Sequence, residues 1–189
     1  MNVVRRARPE RGPRQCSILL TGVLLGIGIV GAVDEAVFHQ LLQWHTLYWG
    51  TDEHGRILSD GVFHLVSAAV LVCGTWRVWR APQDWLHSRR AALSAAILIG
   101  AGGFNLYDGL VQHLLLHLHL VNEFACPAPQ ANNSIVTCPA DIAFEVAWLV
   151  AAAALLGLGI LWWRGVARRT APLPGDAALS RKRQPSIRR

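Results

Sequence analysis

The sequence has few charged residues and almost no lysine. Only 16% of its 189 residues are charged, and Lys182 is the single lysine. A soluble domain usually carries about a quarter charged residues, whereas the hydrophobic set makes up 52% of this chain. Methionine is limited to Met1 and cysteine to four residues, which excludes a disulfide-dense scaffold. The composition therefore predicts an integral membrane protein.

The excess of basic residues, 18 against 12 acidic ones, does not indicate nucleic-acid binding. A nucleic-acid interface needs its arginines on a folded polar face. Here they lie in short tracts between long apolar runs. We therefore exclude nucleic acid as a partner and expect the lipid bilayer instead.

Four apolar runs approach the ~20 residues that a membrane-spanning helix needs. They cover about 17–42, 61–78, 91–121 and 142–163. The first is a retained helix and not a signal peptide, because no small-residue cleavage site ends it. The predicted fold is an all-α membrane protein with a four-transmembrane-helix bundle at 17–165.

The distribution of arginine predicts the orientation of these spans. With four spans, both termini and the loop between helices 2 and 3 share one side, and they hold 17 of the 18 basic residues, all except Arg56. The positive-inside rule makes that side the cytoplasm. We predict a basic cytoplasmic segment at 1–16 and a basic, disordered cytoplasmic tail at 166–189.

An internal repeat is visible when the sequence is shifted by 74 residues, which aligns eight identities. The aligned polar residues are Asp34, His39 and His45 in the first copy and Asp108, His113 and His119 in the second. The repeated unit is a helical hairpin, at about 17–79 and about 91–164. Two such tandem hairpins are expected to be related by a pseudo-two-fold axis along the membrane normal.

A second shift, of 81 residues, aligns the beginnings of helices 2 and 4. It places Asp60 on Asp141 and His64 on Glu145. Each predicted hairpin therefore carries polar residues near the outer end of both of its helices.

Helical rise predicts that ionisable residues from all four helices lie at one depth. At ~1.5 Å per residue they fall ~20–30 Å from the cytoplasmic arginines, near the outer edge of a hydrocarbon core ~30 Å thick. Ionisable groups there are costly unless paired, hydrated or metal-bound. The residues predicted to form a site are His39, His64, His113, Asp34, Asp108 and Glu145. Secondary candidates are His45, His117, His119, Asp60 and Asp141.

Regular α-helical geometry limits how these residues can cooperate. Asp34 and His45 share a helix face but are ~16 Å apart along the axis, too far to share one ion. His39 lies ~140° around the helix from Asp34. We therefore expect His39 to reach groups on neighbouring helices.

Imidazole and carboxylate groups without nearby thiolates favour Zn²⁺, Cu²⁺ or iron. A b-type haem held by His39 and His113 is an alternative, as is a polar or proton-handling role. A zinc-bound water would also permit metal-dependent hydrolysis in the membrane. Whether any reaction is catalysed stays open at this point.

Two cysteines, Cys126 and Cys138, lie in one predicted exported loop. A disulfide between them is predicted, which would stabilise the fold by ~3 kcal/mol in the chain-entropy model. Copper ligation by the reduced pair is the alternative.

Three motifs carry a resemblance to a known family. They are G-A-V-D-E-A-V-F-H-Q-L-L-Q-W-H at 31–45, D-G-V-F-H at 60–64 and F-N-L-Y-D-G-L-V-Q-H at 104–113. Over about residues 17–165 the chain resembles the bacterial four-helix membrane proteins of domain of unknown function 2243. It differs from that pattern at Thr46, where a second histidine often follows His45.

The resemblance implies a multi-pass protein of the bacterial cytoplasmic membrane without an assigned activity. It also implies an association with cytochrome oxidase assembly factors, and so a respiratory oxidase or another membrane metalloprotein as partner. Homo-oligomerisation stays open. The first functional hypothesis is accordingly a metal-binding membrane protein, as an assembly or metal-handling factor. A haem or redox protein is the second hypothesis, and a membrane-embedded hydrolase is the third.

Overall fold

The computed structural model describes residues 15–125 and 138–170, and long helices dominate both ranges. The four α-helices are α1 (Gln15–Asp34), α2 (Glu53–Trp79), α3 (Gln83–Tyr107) and α4 (Pro139–Thr170). Two π-helical segments, Glu35–Leu41 and Asp108–Leu115, extend α1 and α3 directly. Each of the four helical units is long and apolar enough to cross a membrane. The predicted all-α, four-helix membrane fold is confirmed.

Helices α2 and α3 each begin eight residues before the apolar run that predicted them. The side chain of Asp52 accepts a hydrogen bond from the Gly55 amide at 2.8 Å and so caps α2. Pro82 immediately precedes α3, a position where the missing amide hydrogen costs nothing. The apolar run marks only the part of a helix in lipid, so polar first turns lie outside it.

The helices α1 and α3 form the central pair of the bundle. They pack against each other, while α2 packs on α1 and α4 packs on α3. In the most apolar windows of α1 and α3, 39% and 33% of residues are buried, against 11% and 17% for α2 and α4. The outer two helices therefore present most of their apolar side chains to lipid.

Close approach of α1 and α3 depends on Gly26 and Gly100, which the 74-residue shift aligns. A Cβ atom at Gly26 would collide with the backbone at Gly100, and one at Gly100 would collide with the backbone at Val23. Small residues at such crossings allow the backbone contact that stabilises helices in lipid. The crossing also places the ends of α1 and α3 next to each other.

Packing of the outer helices follows a different offset from the one that sequence identity indicated. The matching contacts are Gly28 with Leu71 and Gly102 with Leu156, and also Leu25 with Gly74 and Ile99 with Gly159. The α1 and α3 partners differ by 74 residues, but the α2 and α4 partners differ by 85. These contacts support an internal repeat, and they correct the 81-residue alignment by four residues. Four residues is about one helical turn, so both alignments place similar residues on the same face.

Some sequence predictions concern residues outside the described ranges. The terminal segments 1–14 and 171–189 lie there, as does Cys126. Residues 166–170, which were assigned to the tail, belong to α4. Cys138, immediately before α4, is disulfide-bonded.

Candidate metal centre

Two clusters, each of one aspartate and two histidines, lie where α1 and α3 end. The first cluster is Asp34, His39 and His45, and the second cluster is Asp108, His113 and His119. Within each cluster, three potential ligand atoms, one from each residue, lie within 4.8 Å of one another. All six residues are buried, with no more than 6% of any one exposed.

The π-helical segments bring the first histidine of each cluster to its aspartate. A π-helix bonds residues five apart instead of four, so the D-x4-H spacing places the two side chains near one face. His39 Nε2 lies 3.5 Å from Asp34 Oδ2, and His113 Nε2 lies 3.1 Å from Asp108 Oδ2. The prediction that His39 faces away from Asp34 assumed a regular α-helix and is wrong for that reason.

A sharp chain reversal brings the second histidine of each cluster back to the same aspartate. Gln43 and His117 adopt positive φ angles of 52° and 51°, which reverse the chain just after each π-helical segment. His45 Nε2 then lies 3.8 Å from Asp34 Oδ1. In the second cluster, His119 Nε2 lies 3.7 Å from an oxygen of its aspartate. The predicted ~16 Å separation is wrong because the helix ends at Leu41.

Each hairpin orients the second histidine of the other hairpin. His45 Nδ1 donates to the carbonyl of Val121 at 2.8 Å, and His119 Nδ1 donates to the carbonyl of Leu47 at 3.1 Å. A carbonyl only accepts hydrogen bonds, so Nδ1 carries the proton in both rings. Burial lowers the pKa of His45, and it lowers that of His119 well below the usual range. Both imidazoles are therefore neutral, with the Nε2 lone pair available.

Carboxylates orient the first histidine of each cluster in the same way. His39 Nδ1 lies 3.0 Å from Asp60 Oδ1, and His113 Nδ1 lies 2.9 Å from Glu145 Oε2. In all four rings Nδ1 has a partner, while Nε2 is buried without a hydrogen-bond partner among the described residues. The short distance from His113 Nε2 to its aspartate is not a hydrogen bond either. The four Nε2 atoms thus lie beside carboxylate oxygens without being aligned on them.

The two clusters adjoin each other through their second histidines. The ring centroids of His45 and His119 are 4.9 Å apart. Those of His39 and His45 are 4.5 Å apart, as are those of His113 and His119. The four imidazoles therefore form one continuous group that belongs to both hairpins.

Negative charge exceeds positive charge around this group. The surrounding carboxylates, in or next to the clusters, are Asp34, Glu35, Asp60, Asp108 and Glu145. Two of the four imidazoles, His45 and His119, are neutral. Buried carboxylates are costly unless they are paired with cations or coordinate metals, so the electrostatics favour binding of positive ions here.

Other predicted site residues lie apart from the two clusters. His64 is exposed on α2, and Asp60, one turn earlier, contacts His39 instead. His117 uses Nδ1 to donate to the carbonyl of His113 at 3.0 Å, which holds the reversal. Asp141 is buried at the beginning of α4, but neither cluster includes it. The shift of α4 by one turn explains why Glu145, and not Asp141, corresponds to Asp60.

Three buried residues next to the centre were not recognised in the sequence as site residues. Glu35 approaches His39 Nδ1 at 3.7 Å. Gln112 donates to Asp108 Oδ1 at 2.8 Å. Glu123 is 5% exposed, and both its carboxylate oxygens lack a hydrogen-bond partner among the described residues. Glu35 and Gln112 have no counterpart in the other copy of the repeat, so comparing the copies does not reveal them.

The buried carboxyl group of Glu123 predicts a dependence of stability on pH. Burial raises its pKa from 4.5 to about 9, although Arg56 nearby lowers it. The folded state therefore retains the proton, and this contribution to stability is full below pH 4.5 and lost as the pH rises through 9. With chelator present, Glu123→Gln should melt at least as high as the wild type at pH 8, and its advantage should grow between pH 5 and 9. A variant that melts lower than the wild type at pH 8 would contradict this prediction.

Comparison with known proteins places the chain in a family. A family profile described as "Predicted membrane protein (DUF2243)" matches residues 21–166, which include both clusters. No curated protein and no solved structure matches the chain significantly. Because the match covers most of the sequence, the chain belongs to the DUF2243 family of predicted membrane proteins.

Proposed function

We propose that this protein is a metal-binding membrane protein that holds two divalent transition-metal ions, one in each cluster. The observation that carries the proposal is the common orientation of four imidazoles. Each has a protein partner at Nδ1 and a buried, unpartnered Nε2 beside an aspartate. Metal-ligating histidines are held in this way, with the second ring nitrogen donating to a carboxylate or carbonyl. The aspartates, Asp34 and Asp108, would complete the two sites.

The donor set narrows the choice of metal. Two histidines and one carboxylate for each ion make up the set used by non-haem iron sites, and a similar set is used by catalytic zinc sites. Cu²⁺ also accepts imidazole, but Cu⁺ prefers sulfur ligands, and neither cluster contains cysteine or methionine. We therefore propose Fe²⁺ or Zn²⁺ as the first candidates and Cu²⁺ as the third.

The arrangement of the rings favours separate ions over haem. A haem held by His39 and His113 would need a planar space between them. The rings of His45 and His119 lie there, 4.5 Å from His39 and His113 respectively and 4.9 Å from each other. A porphyrin would have to displace both rings, whereas separate ions would use their lone pairs.

Metal analysis of detergent-purified protein tests the proposal. We expect about two ions per chain after growth in metal-supplemented medium, by analogy with filled histidine–carboxylate sites. The absorption spectrum should lack a haem Soret band. A preparation that stays far below one ion per chain after exposure to Fe²⁺, Zn²⁺ and Cu²⁺ would overturn the proposal, as would a stoichiometric haem.

The orientation of the chain places this centre on the outer side of the membrane. Arginine is concentrated at the opposite ends of the helices, in agreement with cytoplasmic termini in a bacterial inner membrane. A metal centre on the outer side suits assembly of an extracytoplasmic metalloenzyme such as a respiratory oxidase. Delivery requires the ions to leave, so slow release from the purified protein would instead favour a resident centre.

Metal-dependent hydrolysis is a second candidate function, favoured by the incomplete ligand sets. Three protein ligands leave a position open for water, which a bound ion would activate. Glu123 offers a buried carboxyl group close enough to interact electrostatically with His39 and His113. Retention of both ions in Glu123→Gln together with loss of a hydrolytic activity would support this function over metal handling.

A further inference from the structure

Two hydrogen-bonded chains of groups connect the clusters to each other. In the first chain, Asp60 Oδ1 lies 3.0 Å from His39 Nδ1 and also accepts from the Leu47 amide at 2.7 Å. The carbonyl of that same residue, Leu47, accepts from His119 of the second cluster at 3.1 Å. We call this first connection relay 1. It begins at a first-cluster histidine and ends at a second-cluster histidine.

The second connection, relay 2, runs in the opposite direction. Glu145 Oε2 lies 2.9 Å from His113 Nδ1, and Glu145 Oε1 accepts from the Val121 amide at 2.9 Å. The carbonyl of Val121 accepts from His45 of the first cluster at 2.8 Å. Each cluster therefore has one histidine oriented by its own hairpin and one oriented through the other.

Backbone pairing fixes the two loops that carry the relays. Trp49 donates its amide to the carbonyl of Leu118 at 2.9 Å, and Glu123 donates to the carbonyl of Trp44 at 2.9 Å. The carbonyls of Leu47 and Val121 are thus held in a paired segment made by both hairpins. A displacement of either loop would move a histidine in each cluster.

On the basis of the proposed metal binding, we infer that Asp60 and Glu145 are positioning residues that each serve both ions, so that the two ions bind cooperatively. An ion on His39 orders the Asp60 carboxylate and, through the Leu47 peptide, the His119 ring. The second ion then meets a site whose ordering cost has been met already. Coupling between sites of this kind is typically about 5- to 150-fold in affinity.

Native mass spectrometry at one Zn²⁺ per chain tests the coupling directly. With cooperative binding, chains with no ion and chains with two ions dominate, and singly loaded chains are the minority species. Independent sites of equal affinity would give a singly loaded species about twice as abundant as either other species, which would overturn the coupling alone. A chain that binds no Zn²⁺ at any ratio would overturn the proposed metal binding and the coupling together.

The variant Asp60→Asn tests the role of the positioning residue. The asparagine amide can donate to His39 Nδ1, which would move the imidazole proton to Nε2 and block metal binding there. Second-shell losses typically cost about 10- to 100-fold in metal affinity, and we expect such a loss for both ions. Loss of one ion, with wild-type affinity for the other, would overturn the dual role.

Matched variants separate this role from general destabilisation. Asp60→Glu keeps an acceptor and should recover part of the affinity for both ions. Asp84→Asn changes an exposed aspartate at the beginning of α3, at the other end of that helix, and should bind both ions as the wild type does. Glu145→Gln acts on relay 2 and should reproduce the loss seen in Asp60→Asn. If Glu145→Gln instead releases only one ion, the inference fails.

Discussion

Replacing His45 and His119 together with alanine is expected to abolish stoichiometric metal binding. Each substitution removes one of the three ligand atoms in its cluster. The loss should exceed the about 10- to 100-fold decrease that follows from removing a second-shell partner. Both histidines lie in loops beyond the π-helical segments, so the membrane-spanning helices should still form. The measurement is metal content per chain in purified protein, with helix content from circular dichroism.

Exposed histidines provide the control for this experiment. His54, His64 and His87 are exposed, and their alanine variants should retain both ions. The repeat makes a stricter demand, since His39→Ala and His113→Ala should lose similar amounts of metal. Retention of two ions in the double variant of His45 and His119 would show that metal, if present, is held elsewhere.

Removing metal from the wild-type protein with a chelator should lower its melting temperature by several degrees. A ligand at 100 times its dissociation constant stabilises the folded state by about 2.7 kcal/mol for each site. In a chain of 150–250 residues each kcal/mol corresponds to about 2–4 °C. The buried carboxylates of the two clusters are the physical source of this sensitivity, because without cations they lack sufficient compensating charge.

The double variant of His45 and His119 distinguishes this effect from direct action of the chelator. Its melting temperature should not respond to chelator, whereas the wild type should recover when metal is added back. Tryptophan fluorescence is a suitable signal, since the chain has 8 tryptophans. A wild-type melting temperature that stays constant after the ions have been removed would contradict the prediction.

Much of the fold follows from local sequence patterns. Apolar runs near membrane length predicted four spanning helices, because lipid requires each span to satisfy its own backbone hydrogen bonds. The repeated D-x4-H-x5-H spacing singled out Asp34, His39 and His45 and their counterparts. The helical rise placed polar residues of four helices at one end of the bundle.

Tertiary structure decided how those residues meet. Sequence periodicity assumes an α-helix, and it separated Asp34 from His45 by a distance that the π-helical segment and the reversal at Gln43 remove. No residue-type preference requires Gln43 to adopt a positive φ, since such angles favour glycine. The reversal is held by contacts with the other hairpin, and those contacts form only in the folded bundle.

The choice of positioning carboxylates was also decided by packing. Asp141 and Glu145 are four residues apart on one helix face, so the sequence alone does not distinguish which of them corresponds to Asp60. The contacts of Gly102 and Gly159 set the position of α4 along α3, and this position brings Glu145 to His113. The sequence by itself determined the helices, the repeated residue types and their depth. The pairing of the histidines across hairpins depended on the fit of two backbones at a glycine crossing, which no local pattern encodes.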